Sequence, residues 1–262
     1  MSNKIISDYR SEALQGSIKL VDSKGNSKTC IGTKPIILSN QWKPVRKGDI
    51  ITMDGKDYRV LKVNKNIAEV LAMYDASSSQ KFNTSGNSKV YAGSDLDTYC
   101  DEVFYSTLSF NMKNAIIEKT FQQDSWHFSW SSVSAGSPKY IGDTLSSGDY
   151  EVSLDSATFG TNILRKCYVL SVQDIIDYLG VTRSMTVADT TLTSTNIWKM
   201  FWNQATFIED MKRLWLRSAD ADFSTAFYIN NTGNLISGPI TDSNAVRPAF
   251  QIDLSKVDYA IL

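Results

Sequence analysis

Trp215-Leu216-Arg217-Ser218, Thr225-Ala226-Phe227-Tyr228-Ile229-Asn230 and Val246-Arg247-Pro248-Ala249-Phe250-Gln251-Ile252-Asp253-Leu254 decide how this chain is read. The middle stretch alternates small or polar side chains with larger apolar ones, the period of a half-buried strand. Asn231-Thr232-Gly233-Asn234 supplies turn chemistry and leads into Leu235-Ile236, so residues 225–236 are expected to form a hairpin. Val246, Phe250, Ile252 and Leu254 make a closing strand, and Pro248 places its start at an edge or a bulge. Arg217 and Arg247 lie inside these apolar patterns. They are therefore expected to be structural, each paired with a carboxylate or a loop carbonyl.

Working outward, the preceding chain supplies more strands and a few helices. Ile50-Ile51-Thr52-Met53 and Tyr58-Arg59-Val60-Leu61 flank Asp54-Gly55, a strong short-range hairpin signal. Asn64-Lys65-Asn66 turns the chain again into Ile67–Met73, which completes a meander. Residues 75–90 are expected to be a polar loop. Ser94 caps a helix that carries Leu96, Tyr99, Cys100, Val103 and Phe104 on one face, with Asp95 and Asp97 in its first turn. Ser109 caps a second, carrying Met112, Ala115, Ile116 and Lys119. From Phe121 to Gly160 the periodicity stops in favour of Ser, Gly and aromatics, as in a binding excursion or a segment hiding short strands. Ser171 and Asp174 mark a capping-box start, Ile175, Ile176 and Leu179 a buried face, and Gly180 a stop. Asn196–Trp202 reads as a short helix.

Residues 1–40 read as a separate β-rich arm: 17–21 and 28–31 flank a loop with Gly25 at the bend, and 34–38 make another short strand. So few strands are marginal alone. The arm therefore packs on the main domain, residues 41–262, or docks on another chain.

Composition narrows the function. Across 262 residues, 27 Lys and Arg nearly cancel 28 Asp and Glu, so no field draws the chain to nucleic acid. No apolar run approaches the ~20 residues of a membrane helix, so no membrane insertion is expected. The N-terminal residues lack the apolar core of a signal peptide, which implies synthesis in a cytoplasm. Cys30, Cys100 and Cys167 are far apart and read as small buried hydrophobes. With one histidine, His127, and no cysteine pair beside it, no metal site and no cofactor are expected. His127 also lacks a neighbouring nucleophile motif, so a catalytic triad is not expected. Asp220-Ala221-Asp222 is read as a solvated loop rather than a calcium site.

Gly48-Asp49-Ile50-Ile51, Tyr58-Arg59-Val60-Leu61, Tyr91-Ala92-Gly93-Ser94-Asp95-Leu96, Met112-Lys113-Asn114-Ala115-Ile116, Tyr168-Val169-Leu170-Ser171, Trp215-Leu216-Arg217-Ser218 and Val246-Arg247-Pro248-Ala249-Phe250 occur in that order. Together they resemble an uncharacterised domain family of Gram-positive bacteria and their phages, over roughly residues 42–256. The resemblance implies an α+β, C-type-lectin-like fold: small antiparallel sheets, two to four helices and long irregular loops that carry the binding surface. It is distantly similar to phage receptor-binding variable proteins and to formylglycine-generating enzymes. The late cysteine pair of those enzymes is missing here, and so are the Glu-Pro-Asn and Trp-Asn-Asp motifs of calcium-dependent lectins. The function it implies is a non-enzymatic virion component: a capsid or tail decoration, an adaptor or a host-recognition module. The arm would then contact other virion proteins in an oligomeric assembly, and the loops a host-surface protein or glycan. A bacterial ligand sensor or an enzyme on the same scaffold is the alternative.

Within that fold the contact surface is expected on residues 121–140, 219–224 and 230–245. Trp126, His127, Trp130, Phe223 and Tyr228 supply large rigid area, and Asn230, Asn231 and Asn244 supply adaptable hydrogen bonds. The competing reading makes Trp126, Trp130 and Tyr228 part of the core, tying long loops down.

Overall fold

A computed structural model of the chain describes residues 9–14, 17–22, 27–30, 44–130, 152–180, 194–202, 212–220 and 224–262. Side chains are described over 44–126, 160–180, 195–202, 212–220 and 224–262. The architecture is mixed α+β, with mostly antiparallel sheets and few helices.

The arm contributes β1 (Tyr9–Leu14), β2 (Ser17–Asp22) and β3 (Ser27–Cys30), an antiparallel sheet in the order β1-β2-β3. The β2–β3 hairpin is the one its sequence predicts, whereas β1 is additional. The strand expected at 34–38 and the start of the main domain at Trp42 lie outside the described residues.

One seven-stranded sheet is built on the predicted meander of β4 (Ile50–Met53), β5 (Lys56–Asn64) and β6 (Ile67–Ala72). Asp54 at φ 49° and Gly55 at φ 72° make the β4–β5 connection. Two successive positive φ values suit the right-handed twist of the flanking strands. The sheet runs β11 (Cys167–Tyr168), β16 (Ala249–Asp253), β6, β5, β4, β17 (Ala260–Ile261), with β8 (Ile116–Ile117) also on β16. The closing strand β16 is thus central, between β11 and β6. Pro248 lies just before it, where no ladder hydrogen bond is asked of its nitrogen.

The second seven-stranded sheet runs β10 (Val152–Arg165), β9 (Lys119–Trp130), β12 (Leu214–Asp220), β13 (Thr225–Ile229), β14 (Leu235–Pro239). β15 (Ser243–Val246) joins it through β12, in parallel, and carries β7 (Ser77–Lys81) on its other side. One expectation is corrected here and one alternative is decided. The polar loop of 75–90 contains β7. The aperiodic stretch after Phe121 is the strand β9, paired with β10 from Lys119↔Arg165 to Trp130↔Val152, so the strand alternative holds where the chain is described.

The helices are α1 (Asp95–Thr98), which continues through a π-helical stretch (Tyr99–Phe104) into α2 (Tyr105–Thr107), then α3 (Phe110–Ala115), α4 (Val172–Leu179) and α5 (Ser194–Trp202). Ser94 and Ser109 accept hydrogen bonds from the backbone N–H groups of Asp97 and Met112, as their positions predict. α3 is shorter than expected. It stops at Ala115 because Ile116 and Ile117 leave it to pair with β16, and Lys119 begins β9.

Among the described residues two buried clusters form the core. One packs α4 and α5 against β9, β12, β13 and β14; the other packs the π-helical stretch and α3 against β4, β5, β6 and β16. The chain passes between the two sheets at short links. Asp75 lies on the β6–β7 link and Arg247 on the β15–β16 link, and Arg247 Nε meets Asp75 Oδ1 at 2.7 Å. Ala76 N–H donates to the Val246 carbonyl at 2.9 Å, and Ala72 N–H to that of Pro248 at 2.9 Å. The two links are therefore clamped side by side.

Candidate functional site

Two concavities differ in what their polar groups are doing. The larger is a cleft of about 820 Å³ between α4 and the face of β5, β6 and β16. Its inner wall is an ion network. Glu69 Oε1 accepts from Lys119 Nζ at 2.6 Å and from the Tyr168 hydroxyl at 2.6 Å. Asp174 Oδ2 meets Arg217 Nη1 at 2.6 Å, with Lys119 Nζ 3.8 Å from Oδ1. The capping box puts Asp174 there: Ser171 Oγ accepts from its N–H, and its carboxylate accepts from the Ser171 N–H.

Burial alone would raise the Asp174 carboxyl, but the Arg217 guanidinium and then the Lys119 ammonium outweigh it and hold the group at about 2. Burial pushes the Tyr168 phenol well above its ordinary value, and the Glu69 and Asp174 carboxylates push it further. Neither group sits near neutrality, where a general acid or base works best. These charges are engaged with one another.

Behind the cleft a second set of polar groups is similarly engaged. Ser218 Oγ donates to Asp124 Oδ1 at 2.7 Å and accepts from the Val172 N–H at 2.8 Å. Asp124 Oδ2 accepts from Trp126 Nε1 at 2.5 Å and from the Gln173 N–H at 3.2 Å. Gln123 accepts from the Tyr91 N–H and donates to the carbonyls of Lys89 and Arg217. A buried serine bonded to a carboxylate resembles part of a hydrolytic site, yet Ser218 has no exposure and its oxygen is held from two sides.

The smaller concavity is a polar hollow of about 390 Å³ at the junction of β7, β12 and β15. Pairing of Leu214 with Ala245 and of Asn244 with Gln80 brings three strands together there. Trp215 Nε1 donates to the Gln80 carbonyl at 2.7 Å and anchors β7. Lys212 and Arg213, exposed at the mouth of β12, line the hollow with Ser78, Asn231, Asp242 and Asn244. Among the described residues neither Lys212 nor Arg213 is ion-paired with a carboxylate; Arg213 lies over the Tyr228 ring, 5.3 Å from its centroid. Asn244 is 4% exposed, and its amide nitrogen is buried with no hydrogen-bond partner among the described residues.

The expected contact residues divide sharply. Trp126, 1% exposed, and Tyr228, 7% exposed, belong to the larger core cluster, which corrects their reading as surface contacts. Tyr228 packs edge-on against Trp215, with ring centroids 5.8 Å apart. Asn230 is occupied in its own turn: Oδ1 accepts from the N–H groups of Thr232 and Asn234 and from the Thr232 hydroxyl. Asn231 and Asn244 do reach one site, the hollow. His127 and Trp130 are placed on β9 by backbone alone, and Phe223 lies outside the described residues. Asp220 is buried rather than solvated, and Asp222 lies outside the described residues. Asp242 lies within the 230–245 segment expected to carry contacts, whereas Lys212 and Arg213 lie outside every expected segment; the signal for them is a dibasic pair directly before an apolar strand. Among the described residues no group of three or more His, Cys, Asp or Glu side chains could hold a metal, and no helix is long and apolar enough to cross a membrane.

Comparison with known families matches residues 59–254 to the model described as a domain of unknown function, DUF6273. Comparison with curated proteins and with solved structures returns no match.

Proposed function

We propose that this chain, which belongs to the DUF6273 family over most of its length, is a non-enzymatic binding module that uses the polar hollow as its contact. The observation that carries this reading is the contrast between the two concavities. The cleft's Asp174, Glu69, Lys119 and Tyr168 hold one another, whereas the hollow gathers Lys212 and Arg213, neither ion-paired with a carboxylate among the described residues.

We read the scaffold as C-type-lectin-like and the chain as a virion component, a decoration, adaptor or host-recognition module. Supporting this are antiparallel sheets beside short helices and a polar hollow at the strand ends, together with the ordered motifs between Gly48 and Phe250. The test is retention of the labelled full-length chain by Gram-positive host cells and by phage particles. Saturable retention by either, with no turnover of small-molecule substrates, is expected. Absence of retention by both overturns the reading.

A further inference from the structure

We propose that the hollow is the seat of an acidic sugar residue, so that the ligand of the binding module is an anionic saccharide. The inference rests on the binding reading above and adds the chemical class. Lys212 and Arg213 come from adjacent positions yet both line the hollow, and they leave it with two cations against one carboxylate, Asp242. That balance suits one local anion. The chain as a whole carries a formal charge of −1, so it has no extended basic field for a polyanion such as nucleic acid.

The remaining lining groups complete the match. Asn231, Ser78 and Ser243 line the hollow with both donors and acceptors. Asp242 accepts from hydroxyls. Vicinal hydroxyls beside a carboxylate or phosphate present the complementary set. Among the described residues no aromatic ring lines the hollow, and the Tyr228 ring nearby has the Arg213 guanidinium over it. The groups that can discriminate among sugars at this site are therefore the two cations and the polar side chains described. A volume of about 390 Å³ lies at the small end of ligand sites, fitting one sugar residue with its substituent rather than a folded peptide.

The test is calorimetric titration of the full-length chain at low salt with three probes: a galacturonate trimer, glucose 1-phosphate and a neutral glucose trimer. Binding of at least one acidic probe and failure of the neutral trimer are expected. The two acidic probes separate carboxylate from phosphate as the recognised anion. Lys212→Gln should weaken the bound probe roughly tenfold or more, as loss of a charged hydrogen-bond donor does, and leave the melting temperature unchanged. Asn244→Asp should weaken it further by placing a second carboxylate in the hollow; Lys212→Gln alone decides if that variant fails to fold. Equal binding of the neutral trimer, full competition by duplex DNA, indifference to Lys212→Gln or binding of no probe each overturn the proposal. If cells or particles still retain the chain in those cases, the binding module stands and only its ligand class falls. Loss of retention as well removes both.

Discussion

Arg217 is 3% exposed in the middle of β12, and several groups keep it charged there. Asp174 lies at 2.6 Å, the Val169 carbonyl accepts from Nη1 at 2.7 Å, and the Phe121 ring lies 4.3 Å from the guanidinium carbon. Asp174→Asn would leave that cation without its counter-charge. The carboxylate keeps 19% of its surface open to the cleft, so water can partly compensate, and a loss of about 3 kcal/mol is expected at neutral pH. Because the folded-state carboxyl sits at about 2 against an ordinary 3.8, its contribution is complete above 3.8 and is lost as pH falls through about 2. The stability gap between the two proteins should therefore narrow as urea melts are taken from neutral pH towards that range. A gap independent of pH would exclude this pair as its source. Arg217 and Arg247 were legible in the sequence as structural charges, since an arginine inside an apolar strand has to find a carboxylate or a carbonyl. Trp126 was not legible in the same way, because a tryptophan among serines reads equally as a contact or as core. Its indole N–H finds Asp124 two residues earlier, and its ring is buried. Trp126→Ala should cost about 3–5 kcal/mol in a denaturant melt, the range for a buried aromatic.

Elements were legible where turn chemistry and apolar period agreed. The β4–β5–β6 meander, the β13–β14 hairpin and α4 all follow from such agreement, and Gly180 at φ 74° ends α4 as its place after Leu179 predicts. The strands β7 and β9 lack an apolar period for definable reasons. β7 is Ser77-Ser78-Ser79-Gln80-Lys81, with no apolar residue to set a face. β9 buries Phe121, Gln123 and Ser125 on alternate positions, so its inward face is half polar and the pattern disappears. Burying Gln123 is tolerated because both ends of its amide are bonded. The hollow was only half legible, because Lys212 and Arg213 meet Asn244 through a parallel β12–β15 pairing that no local signal announces. The capping box of α4 gives a prediction at this scale. Ser171→Ala removes the acceptor of the Asp174 N–H and loosens the turn that presents Asp174 to Arg217. A loss of about 1–2 kcal/mol in thermal melts is expected, beyond what an isolated cap on an exposed helix contributes.

At the scale of the molecule, the two large sheets share one chain through short links, and the Arg247–Asp75 pair holds two of those links together. The arm relates to this body differently from the C-terminal strand. Among the described residues β1, β2 and β3 pair with one another and with no strand of the other sheets. β17 instead closes the first large sheet: Ile261 pairs with Ile51, and the Leu262 N–H donates to the Ile50 carbonyl at 2.9 Å. Ile261 and Ile51 are both buried. The two ends should therefore respond differently to deletion. A chain lacking residues 258–262 loses the burial of Ile261 and the outer ladder of β4, about 2 kcal/mol, and should melt roughly 4–8 °C lower for a body of this size. The newly bare edge of β4 should also raise its tendency to associate. If the arm is a docking element, as we propose, a chain starting at residue 41 should keep the full-length melting midpoint and cooperativity while losing any co-sedimentation with phage particles that the full chain shows. Circular dichroism melts of the two deletions beside the full chain, with co-sedimentation on particles, measure both effects. If removing residues 1–40 lowers the midpoint as much as removing 258–262 does, the arm is part of the body's core and its role as a docking element is withdrawn.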